Sequence, residues 1–394
     1  MATNTDIPQG YKATALGIIP QEWKTIRLKD CFSISAGGDV QKDCFSEAPS
    51  LQYKYPIYSN SLFNHGLYGF TSHPRHKANS ITITGRGALG HAEYREIDFD
   101  AIVRLLVLAP KIPLNGQYIT EYINFRKPFF YESTGVPQLT APQIANIQVL
   151  FPPLGEQRKI AEVLGVWDEA IEKQARLIEK LALRKRGLMQ RLLSAKLRLP
   201  GFSEPWKIHK LQELFTERNE TNRTDLPLLS ITGDRGVILQ TESEKRDTSN
   251  DDKSKYKRIA KGDIGYNTMR MWQGWSALSG LEGIVSPAYT IVVPNTDVDG
   301  YYMSVLFKQP RLIYDFWTHS QGLVGDTLNC KYRDFGQVHI CCPPLAEQKA
   351  ITEVLTAADR EIELAKEKLE RLRRQKRGLM QQLLSGKKRV KINI

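Results

Sequence analysis

Cysteine is scarce in this chain of 394 residues, and the few cysteines form no recognisable pattern. The five are Cys31, Cys44, Cys330, Cys341 and Cys342. They include no CxxC and no metal-binding spacing, and an odd, scattered set in a chain of this length favours a reducing compartment over a disulfide framework. We therefore expect free thiols and a cytoplasmic protein.

Long apolar runs are also missing. No stretch of the sequence reaches the length of about 20 residues that a membrane-spanning helix needs. The first residues, MATNTDIPQGYK, lack the apolar core of a secretory signal. The sequence therefore predicts neither a membrane span nor export.

Motifs for cofactor, nucleotide or metal chemistry are absent as well. No GxxxxGK[ST] phosphate loop occurs, and the glycine-rich residues 85–90 follow a strand-like run without opening a helix. The two Pro-Pro pairs, at 152–153 and 343–344, lack the polar and aromatic flanks of an amino-methyltransferase tetrad. The closest histidines, His73 and His76, have no carboxylate or cysteine beside them. The sequence predicts no catalytic or metal centre.

What the chain does contain is an internal repeat. Residues 152–195 and 343–386 align without a gap and are identical at 23 of 44 positions. Unrelated helices of similar composition would match at only a handful of positions. The repeat indicates an internal duplication, so the fold of the whole chain has to be interpreted from the two copies.

Each copy of the repeat predicts one long helix. After a Pro-Pro stop, apolar residues recur at alternating steps of four and three, as in a coiled coil. In the first copy this seam is Ile160, Leu164, Trp167, Ile171, Gln174, Ile178, Leu181, Lys185, Leu188 and Leu192. In the second copy it is Ile351, Leu355, Ala358, Ile362, Ala365, Leu369, Leu372, Lys376, Leu379 and Leu383. About 38 residues at 1.5 Å each give a rod of about 57 Å. The alternative is two separate amphipathic helices, each packed on its own domain.

The order body, helix, body, helix predicts an antiparallel pair. A chain that leaves the first helix at its far end must enter the second body there, so the second helix has to run back. The bodies would then lie at opposite ends of the pair, about an approximate two-fold axis. Lys185 and Lys376 interrupt the two seams at equivalent places. Each lysine either reaches water and helps fix the register, or is a solvated charge without a role.

The duplication extends to the bodies that precede the helices. Trp23-Lys24 matches Trp206-Lys207 at an offset of 183 residues, although the intervening sequences have diverged. Both bodies alternate short β-type runs with turn residues. These runs are residues 53–59, 80–85, 101–110 and 144–153, and then residues 227–233, 263–269, 283–294 and 337–344. Short helices are expected at Gly116–Phe125 and Gly300–Phe307.

These observations predict an α+β protein with two mixed α/β bodies and two long helices in an antiparallel coiled coil. The predicted domains are residues 1–151, the helical region 152–196, residues 197–342, and the helical region with its basic tail, 343–394. Residues 1–22 are expected to be a polar lead-in, and the last nine residues are expected to fray.

Charge and loop chemistry favour DNA as a partner. The formal net charge is +12, which suits a polyanion, although basic proteins without such partners are common. Arginine and glutamine can contact guanine and adenine edges, and glycine lets the backbone approach phosphates. Glycine-flanked arginines are also routine in turns. The candidate DNA-contacting residues are Tyr58, Asn60, Arg86, Thr134, Gln138, Arg235, Arg270, Trp272, Gln273 and Gln321.

The repeat closely resembles the conserved regions of the specificity subunit of type I restriction–modification enzymes. The shared motifs are PPLxEQxxIxxxL at the start of each helix and KRGLMQxLLS at its end, and the resemblance extends over the whole chain. It implies that each body recognises one half of a split, asymmetric DNA site. It also implies that the helices set the spacer between the half-sites and dock two methyltransferase subunits. The implied spacer and docking residues are Glu156, Gln157, Ile160, Leu164, Ile171, Leu181, Leu188, Glu347, Gln348, Ile351, Leu355, Ile362, Leu372 and Leu379.

The resemblance further implies a chain without a cofactor of its own. S-adenosylmethionine, ATP and Mg²⁺ are expected on partner subunits, which methylate adenine or translocate and cut double-stranded DNA. Two other functions stay open: a coiled-coil adaptor that does not bind DNA, and a self-contained DNA methyltransferase. The latter would need a cofactor-binding domain for which the chain has no room.

Overall fold

The chain divides into two compact units. The computed structural model describes residues 7–127, 137–233, 235–243, 252–322 and 327–391. Unit 1 comprises residues 1–175 and 367–394, and unit 2 comprises residues 176–366. The division falls inside both long helices, so each unit contains one body together with the beginning of one helix and the end of the other.

Unit 1 contains short strands and helices, followed by the first long helix. Its strands are β1 (Tyr11–Thr14), β2 (Gly17–Pro20), β3 (Lys24–Arg27), β4 (Phe32–Ala36), β5 (Phe45–Ser46), β6 (Tyr55–Tyr58), β7 (Leu67–Thr71), β8 (Ser80–Ile83), β9 (Ala92–Arg95), β10 (Asp100–Ala101), β11 (Leu106–Pro110) and β12 (Gln148–Phe151). Its helices are α1 (Leu28–Cys31), α2 (Gly116–Arg126), α3 (Ala141–Ala145) and the start of α4 (Leu154–Leu192).

Unit 2 repeats this style. Its strands are β13 (Lys207–Lys210), β14 (Phe215–Glu217), β15 (Leu229–Ile231), β16 (Val237–Leu239), β17 (Lys257–Ile259), β18 (Ile264–Asn267), β19 (Ser276–Leu278), β20 (Gly283–Val285), β21 (Tyr289–Pro294) and β22 (His339–Cys342). Its helices are α5 (Leu211–Leu214), α6 (Gly300–Leu306), α7 (Pro310–His319), α8 (Tyr332–Gln337) and the start of α9 (Leu345–Leu383).

The two bodies share a central sheet although their sequences have diverged. In unit 1 the strand order is β4-β11-β8-β9, and in unit 2 it is β14-β21-β18-β19. All pairs in both sheets are antiparallel. A second small sheet joins the strand after each tryptophan to the strand before each Pro-Pro turn, as β3 with β12 and β13 with β22. The predicted duplication of whole bodies is therefore confirmed at the level of topology.

Each unit holds the two long helices antiparallel. In unit 1, Ile160 and Leu164 of α4 share a core with Leu383 of α9, while Asp168, further along α4, pairs with Lys376, an earlier residue of α9. Advancing along one helix therefore means going back along the other. The same reversed order occurs in unit 2, where α4 residues 184 and 185 pair with α9 residues 361 and 359. The predicted antiparallel pairing is confirmed.

The coiled-coil seam is the protected side of both helices. Every predicted seam residue is buried or half-buried, including the two lysines. Both helices end in a left-handed residue that returns the chain, Ala195 (φ +58°) and Gly386 (φ +74°). After each, a backbone N–H donates back into the last turn, from Leu197 to the carbonyl of Arg191 at 3.0 Å in the first copy. This is the ordinary way of satisfying free carbonyls at a helix end.

A buried glutamate at the start of each long helix fixes the helix to its body. Glu156 is fully buried; it accepts a hydrogen bond from Trp23 Nε1 at 2.9 Å and two from Arg389, at 2.6 and 2.9 Å. In unit 2, Glu347 accepts from Trp206 Nε1 at 3.1 Å and from Arg198 at 2.6 and 2.8 Å. Because a buried charge must be paired, these contacts join the tryptophan of each body to the segment that follows the opposite helix.

The adjacent glutamine completes the attachment. Gln157 donates from Nε2 to the carbonyl of Pro152 at 2.8 Å and accepts from the backbone N–H of Asn115, the N-cap of α2, at 2.9 Å. Gln348 makes the same two contacts in unit 2, to Pro343 at 2.9 Å and from Asp299 at 3.0 Å. Each glutamine therefore ties a helix start to a second helix of the body.

The seam lysines are paired rather than solvated. Lys376 is 13% exposed and donates to Asp168 on α4 at 2.6 Å and to Glu121 on α2 at 3.0 Å. Lys185 pairs with Asp359, whose other oxygen accepts from Tyr301 at 2.6 Å. These pairs rule out a solvated charge without a role: Lys376 joins α9 to α4 and to α2 of its body, and Lys185 joins α4 to α9. A role of the two lysines in fixing the register stays a prediction.

Several local expectations were wrong. Residues 11–20 form the β1–β2 hairpin instead of an unstructured lead-in, and Arg389 in the tail is held by Glu156 rather than frayed. The expected strands 101–110 and 283–294 are each interrupted by a turn. The sequence also predicted no helix at α7.

The two units differ at the place where the hairpin packs. In unit 1, Pro20 lies against Gly386, and Trp23 is fully buried. In unit 2 no such hairpin precedes Trp206, which is only half-buried. An open cavity of about 400 Å³ lies there, lined in part by Trp206, Leu312 and Cys341. The hairpin therefore covers in unit 1 a face whose counterpart in unit 2 is open.

We expect Arg389→Ala to destabilise unit 1, because it leaves the buried Glu156 with only the indole donor. Since the arginine is 38% exposed, we expect a loss of about 2–3 kcal/mol in the free energy of unfolding, below the ~3–5 kcal/mol of a fully buried pair. Chemical denaturation of the full chain measures it. Lys387→Ala, at an exposed neighbouring position, is the control, and equal curves for the two variants would contradict the role of Arg389.

A pH dependence is expected at Glu121. Burial raises the pKa of this carboxyl above its ordinary value of 4.5, and the neighbouring Asp168 raises it further, against the opposing effect of Lys376. A raised folded-state pKa stabilises the fold at low pH, and this contribution is lost as pH rises through that value. Relative to the wild-type chain, Glu121→Gln should gain stability as pH rises from about 4.5. A pH-independent difference in unfolding temperature would contradict this assignment.

Candidate nucleic-acid interface

In unit 1 the predicted DNA-contacting residues cluster around the turn between β8 and β9. Thr84 closes this turn: its hydroxyl donates to the carbonyl of Ala88 and accepts from the N–H of His91 at 2.9 Å. Gly87, at φ +67°, supplies a left-handed position that favours glycine. Arg86 lies at the exposed tip of the turn, so its guanidinium can reach a ligand.

Asn60 holds this turn against its neighbour. Its Oδ1 accepts from the backbone N–H of Gly85 at 2.7 Å, and its Nδ2 donates to the carbonyl of Val103 at 2.6 Å. Both ends of the amide are therefore engaged inside the protein. The structure supports a positioning role for Asn60 beside the exposed Arg86.

Two further predicted residues lie in the same region. The Tyr58 ring, at the end of β6, is covered by the Arg95 guanidinium at 3.6 Å from its centroid. Gln138 precedes Leu139, whose N–H donates to the carbonyl of Gly85 at 3.0 Å. The structure therefore brings together the segments that carry Tyr58, Asn60, Arg86 and Gln138. Thr134 lies outside the described residues.

In unit 2 the predicted residues form two adjoining turns. Arg270 precedes a short 3₁₀ helix at Met271–Gln273, and its guanidinium lies 5.1 Å from the centre of the Trp275 ring. The Trp272 indole N–H donates to the carbonyl of Met269 at 2.9 Å, which fixes the half-buried ring. Arg270 and Gln273 are both exposed.

Trp275 connects this turn to the turn that carries Arg235. A side chain added at Gly233 would contact the Trp275 ring at 3.6 Å, and Lys308 donates to the carbonyl of Gly233 at 3.3 Å. Arg235 is exposed and donates to the carbonyl of Glu242 at 3.4 Å. The turns with Arg235 and Arg270 therefore lie side by side in unit 2.

Gln321 is attached to the same part of unit 2. It forms a backbone bridge with Asn329, and the next residue, Cys330, donates to the carbonyl of Thr268 at 2.8 Å. The exposed Gln321 side chain donates to Asp334 at 3.4 Å. The predicted loops of this body thus converge, although whether they contact DNA stays a prediction.

The sequence reading missed several exposed residues near these turns. In unit 1, Val103 and Arg104 form an exposed turn that was assigned to a strand. In unit 2, Tyr314 (60% exposed) and Trp317 (47% exposed) lie on α7 with ring centres 5.6 Å apart. Pro310 could have predicted the start of α7, since proline is common at the first position of a helix.

On the long helices, the predicted spacer and docking residues are mostly inward-facing. Glu156, Gln157, Glu347 and Gln348 are at most 2% exposed and satisfied inside their own units. The predicted apolar residues follow the buried or half-buried seam. The exposed apolar side chains of the helices are Val166, Leu177, Leu183 and Leu364, which the sequence reading did not select. A partner protein that docks on the long helices would have to contact such exposed side chains.

The described part of the chain holds no group of three or more acidic, histidine or cysteine side chains placed to bind a metal ion. Burial raises the pKa of the Cys31 thiol to about 11, which disfavours the reactive thiolate. Among the described helices, none is long and apolar enough to cross a bilayer.

Comparison of the sequence with known proteins finds a matching family and several relatives. Residues 20–182 match the family model of the type I restriction modification DNA specificity domain. A protein of Mycoplasma pneumoniae assigned as a type I specificity subunit is 33% identical over 145 residues, which cover 36% of this chain and 39% of that protein. A protein of Methanocaldococcus jannaschii assigned as the specificity subunit of a type I restriction enzyme is 25% identical and aligns over 97% of both chains.

The fold is also found in a solved structure. The crystal structure of a type I restriction–modification S subunit from M. genitalium superimposes with a TM-score of 0.58, covering 92% of this chain and 96% of that one, at 14% identity. The sequence match to the M. jannaschii protein and the superposition on the M. genitalium S subunit each cover more than 90% of this chain. In sequence and in fold, the chain is therefore similar to specificity subunits of type I restriction–modification systems.

The role of Asn60 can be tested without knowledge of a ligand. We expect Asn60→Ala to leave the buried N–H of Gly85 unpaired, at a loss of roughly 1–3 kcal/mol, whereas the carbonyl of the exposed Val103 can turn to water. Hydrogen exchange should become faster at Gly85 while exchange in β4 and β11 is unchanged. Ser61→Ala is the neighbouring control, and unchanged exchange at Gly85 would show that the amide is not needed there.

Proposed function

We propose that this chain is the DNA-recognition subunit of a type I restriction–modification complex, with each body reading one half of a split site. The observation that carries the proposal is that the two bodies have the same central sheet but carry different residues on their turns. Unit 1 presents the exposed Arg86 and the half-buried Gln138, whereas unit 2 presents the exposed Arg235, Arg270 and Gln273. Two bodies with the same fold but different DNA-contacting side chains suit a DNA site whose two halves differ in sequence.

The charge of the chain supports duplex DNA as the ligand. A net charge of +12 favours phosphate contacts, which supply most of the affinity and make binding dependent on salt. Exposed arginine and glutamine on turns can approach base edges in the major groove, where each base pair presents a distinct pattern of donors and acceptors. The turns of each body therefore supply sequence discrimination in this proposal.

The long helices serve as the spacer in this proposal. Each contains 39 residues, which corresponds to about 58 Å of helix, more than the ~34–36 Å of one turn of B-DNA. The buried glutamates and paired lysines support a rigid attachment of the helices to each body. A rigid spacer makes the number of base pairs between the half-sites a fixed quantity.

Partner subunits supply the chemistry in this proposal. Two methyltransferase subunits dock on the helices, with S-adenosylmethionine as their cofactor, and restriction–translocase subunits bring ATP and Mg²⁺. Docking on the helices would use their exposed faces, which include the apolar side chains of Val166 in unit 1 and of Leu177, Leu183 and Leu364 in unit 2. The chain itself contributes recognition and assembly.

The test is to map adenine methylation by the full chain assembled with its methyltransferase subunits. The wild-type complex should methylate one split sequence, with binding weakened by salt. Inserting one heptad at equivalent positions in both α4 and α9 should lengthen the spacer by about three base pairs, from ~10.5 Å of added helix and ~3.4 Å per base pair, while both half-sites stay unchanged.

The controls separate the parts of this proposal. A seven-residue insertion beside the fully exposed Leu51 should leave both spacing and half-sites unchanged. Unchanged spacing in the heptad variant would refute the spacer role. A wild-type complex that methylates without sequence selection would refute the recognition role, and methylation by this chain alone would favour a self-contained enzyme.

A further inference from the structure

A strained turn in unit 1 lies where the candidate interface is formed. Between β10 and β11, Val103 (φ +54°) and Arg104 (φ +59°) are both in the left-handed region. A β-branched residue there is a conformational outlier. Backbone of this kind persists only where its surroundings hold it, and it concentrates at functional sites.

The backbone of Gly37 and Gly38 holds this turn through two hydrogen bonds. The N–H of Val103 donates to the carbonyl of Gly38 at 2.9 Å, and that of Arg104 donates to the carbonyl of Gly37 at 2.9 Å. Gly37 has no room for a side chain, because a Cβ would lie 2.6 Å from the carbonyl carbon of Ala101. The left-handed backbone at the turn therefore depends on a close approach that only glycine permits.

The strained turn abuts the turn that carries Arg86. A Cβ added at Gly85 would lie 3.1 Å from the carbonyl oxygen of Arg104. Asn60 joins the two turns, through hydrogen bonds to Gly85 at 2.7 Å and Val103 at 2.6 Å. Arg86 and Arg104 are therefore presented by neighbouring turns that share one supporting amide.

The two arginines differ from those with structural roles in this body. Arg75 donates to Asp100 at 2.7 Å, and Arg95 donates to Thr82 at 2.9 Å. Within the described part of the chain, the exposed side chains of Arg86 and Arg104 have no ion-pair or hydrogen-bond partner. Their donors are available to an external acceptor.

The counterpart in unit 2 lacks this feature. The turn between β20 and β21 consists of Ser286, Pro287 and Ala288, none of which is an arginine or has a positive φ. The left-handed arginine turn thus occurs in unit 1 and not at the corresponding turn of unit 2, as expected for a residue that distinguishes one half-site from the other.

We propose that Arg104 is a specificity-determining residue that reads a guanine in the half-site bound by unit 1, beside Arg86. This inference rests on the proposed DNA-recognition function and assigns it a residue. The planar guanidinium can donate two hydrogen bonds to guanine O6 and N7, which an ammonium group cannot match in geometry. The left-handed backbone at Arg104 sets the direction in which its exposed side chain leaves the turn.

The experiment selects binding sites from a random double-stranded DNA library. The full chain is assembled with its methyltransferase subunits, and wild type is compared with Arg104→Ala, Arg104→Lys and the control Arg27→Ala, an exposed arginine on β3. Arg104→Ala should weaken binding to the wild-type site by about 5- to 150-fold, the range for a lost bidentate contact. It should relax one guanine position in one half-site and leave the other half-site unchanged.

Arg104→Lys separates base reading from charge. We expect the lysine variant to keep the salt dependence but lose discrimination at the same guanine, while Arg27→Ala keeps the full selected sequence. Unfolding temperatures equal to wild type establish that the variants are folded. An unchanged selected sequence in Arg104→Ala would overturn the inference and leave the recognition function standing.

A uniform loss of affinity across all sequences, with a shallower salt slope, would also overturn the inference, because it identifies a phosphate contact. If the wild-type complex selects no sequence, the proposed recognition function fails together with this inference. The sequence selected by the wild-type complex separates the two cases: a selected sequence is present if only the inference on Arg104 fails, and absent if the recognition function fails.

Discussion

Both units depend on a carboxylate that is removed from water and shared by three segments of the chain. Glu156 and Glu347 stand at the starts of the long helices, and each is satisfied by an indole N–H of its body and by an arginine that follows the opposite helix. Since a buried carboxylate without partners is strongly unfavourable, all three segments must come together when a unit folds. The interaction therefore specifies which ends of which helices meet, in addition to any stability it contributes.

This constraint explains why the body sequences can diverge while their frame is retained. The strand after each tryptophan pairs with the strand before each Pro-Pro turn, so both boundaries of a body are fixed beside the helix start. The neighbouring Gln157 and Gln348 extend the attachment to α2 and α6. Between these fixed boundaries, the central sheets keep one strand order, whereas the turns at their edges carry unlike residues. Recognition of different sequences requires that kind of variation on a constant support.

The candidate interface shows how far residue type alone can lead. Arginine, glutamine and glycine in turn-like segments correctly indicated regions that converge in each body, since such turns lie at strand ends. Residue type did not distinguish a side chain that is free to contact DNA from one that holds neighbouring turns of the protein together. Asn60 has the chemistry to contact adenine, yet its amide spans two turns of the protein. Arg104 was assigned to a strand because the apolar run around it continues on both sides of the turn.

The sequence by itself determined the duplication, the two long helices, their buried seam and, through the order of bodies and helices, their antiparallel pairing. These properties follow from periodicity and chain order, which are local or topological. Only the tertiary structure decided the partners of the buried glutamates, the pairing of Lys185 and Lys376, and the strained turn at Val103. Each of these depends on residues more than 30 positions apart in sequence meeting in space, and no pattern within one segment encodes which distant group will fill a buried hydrogen bond.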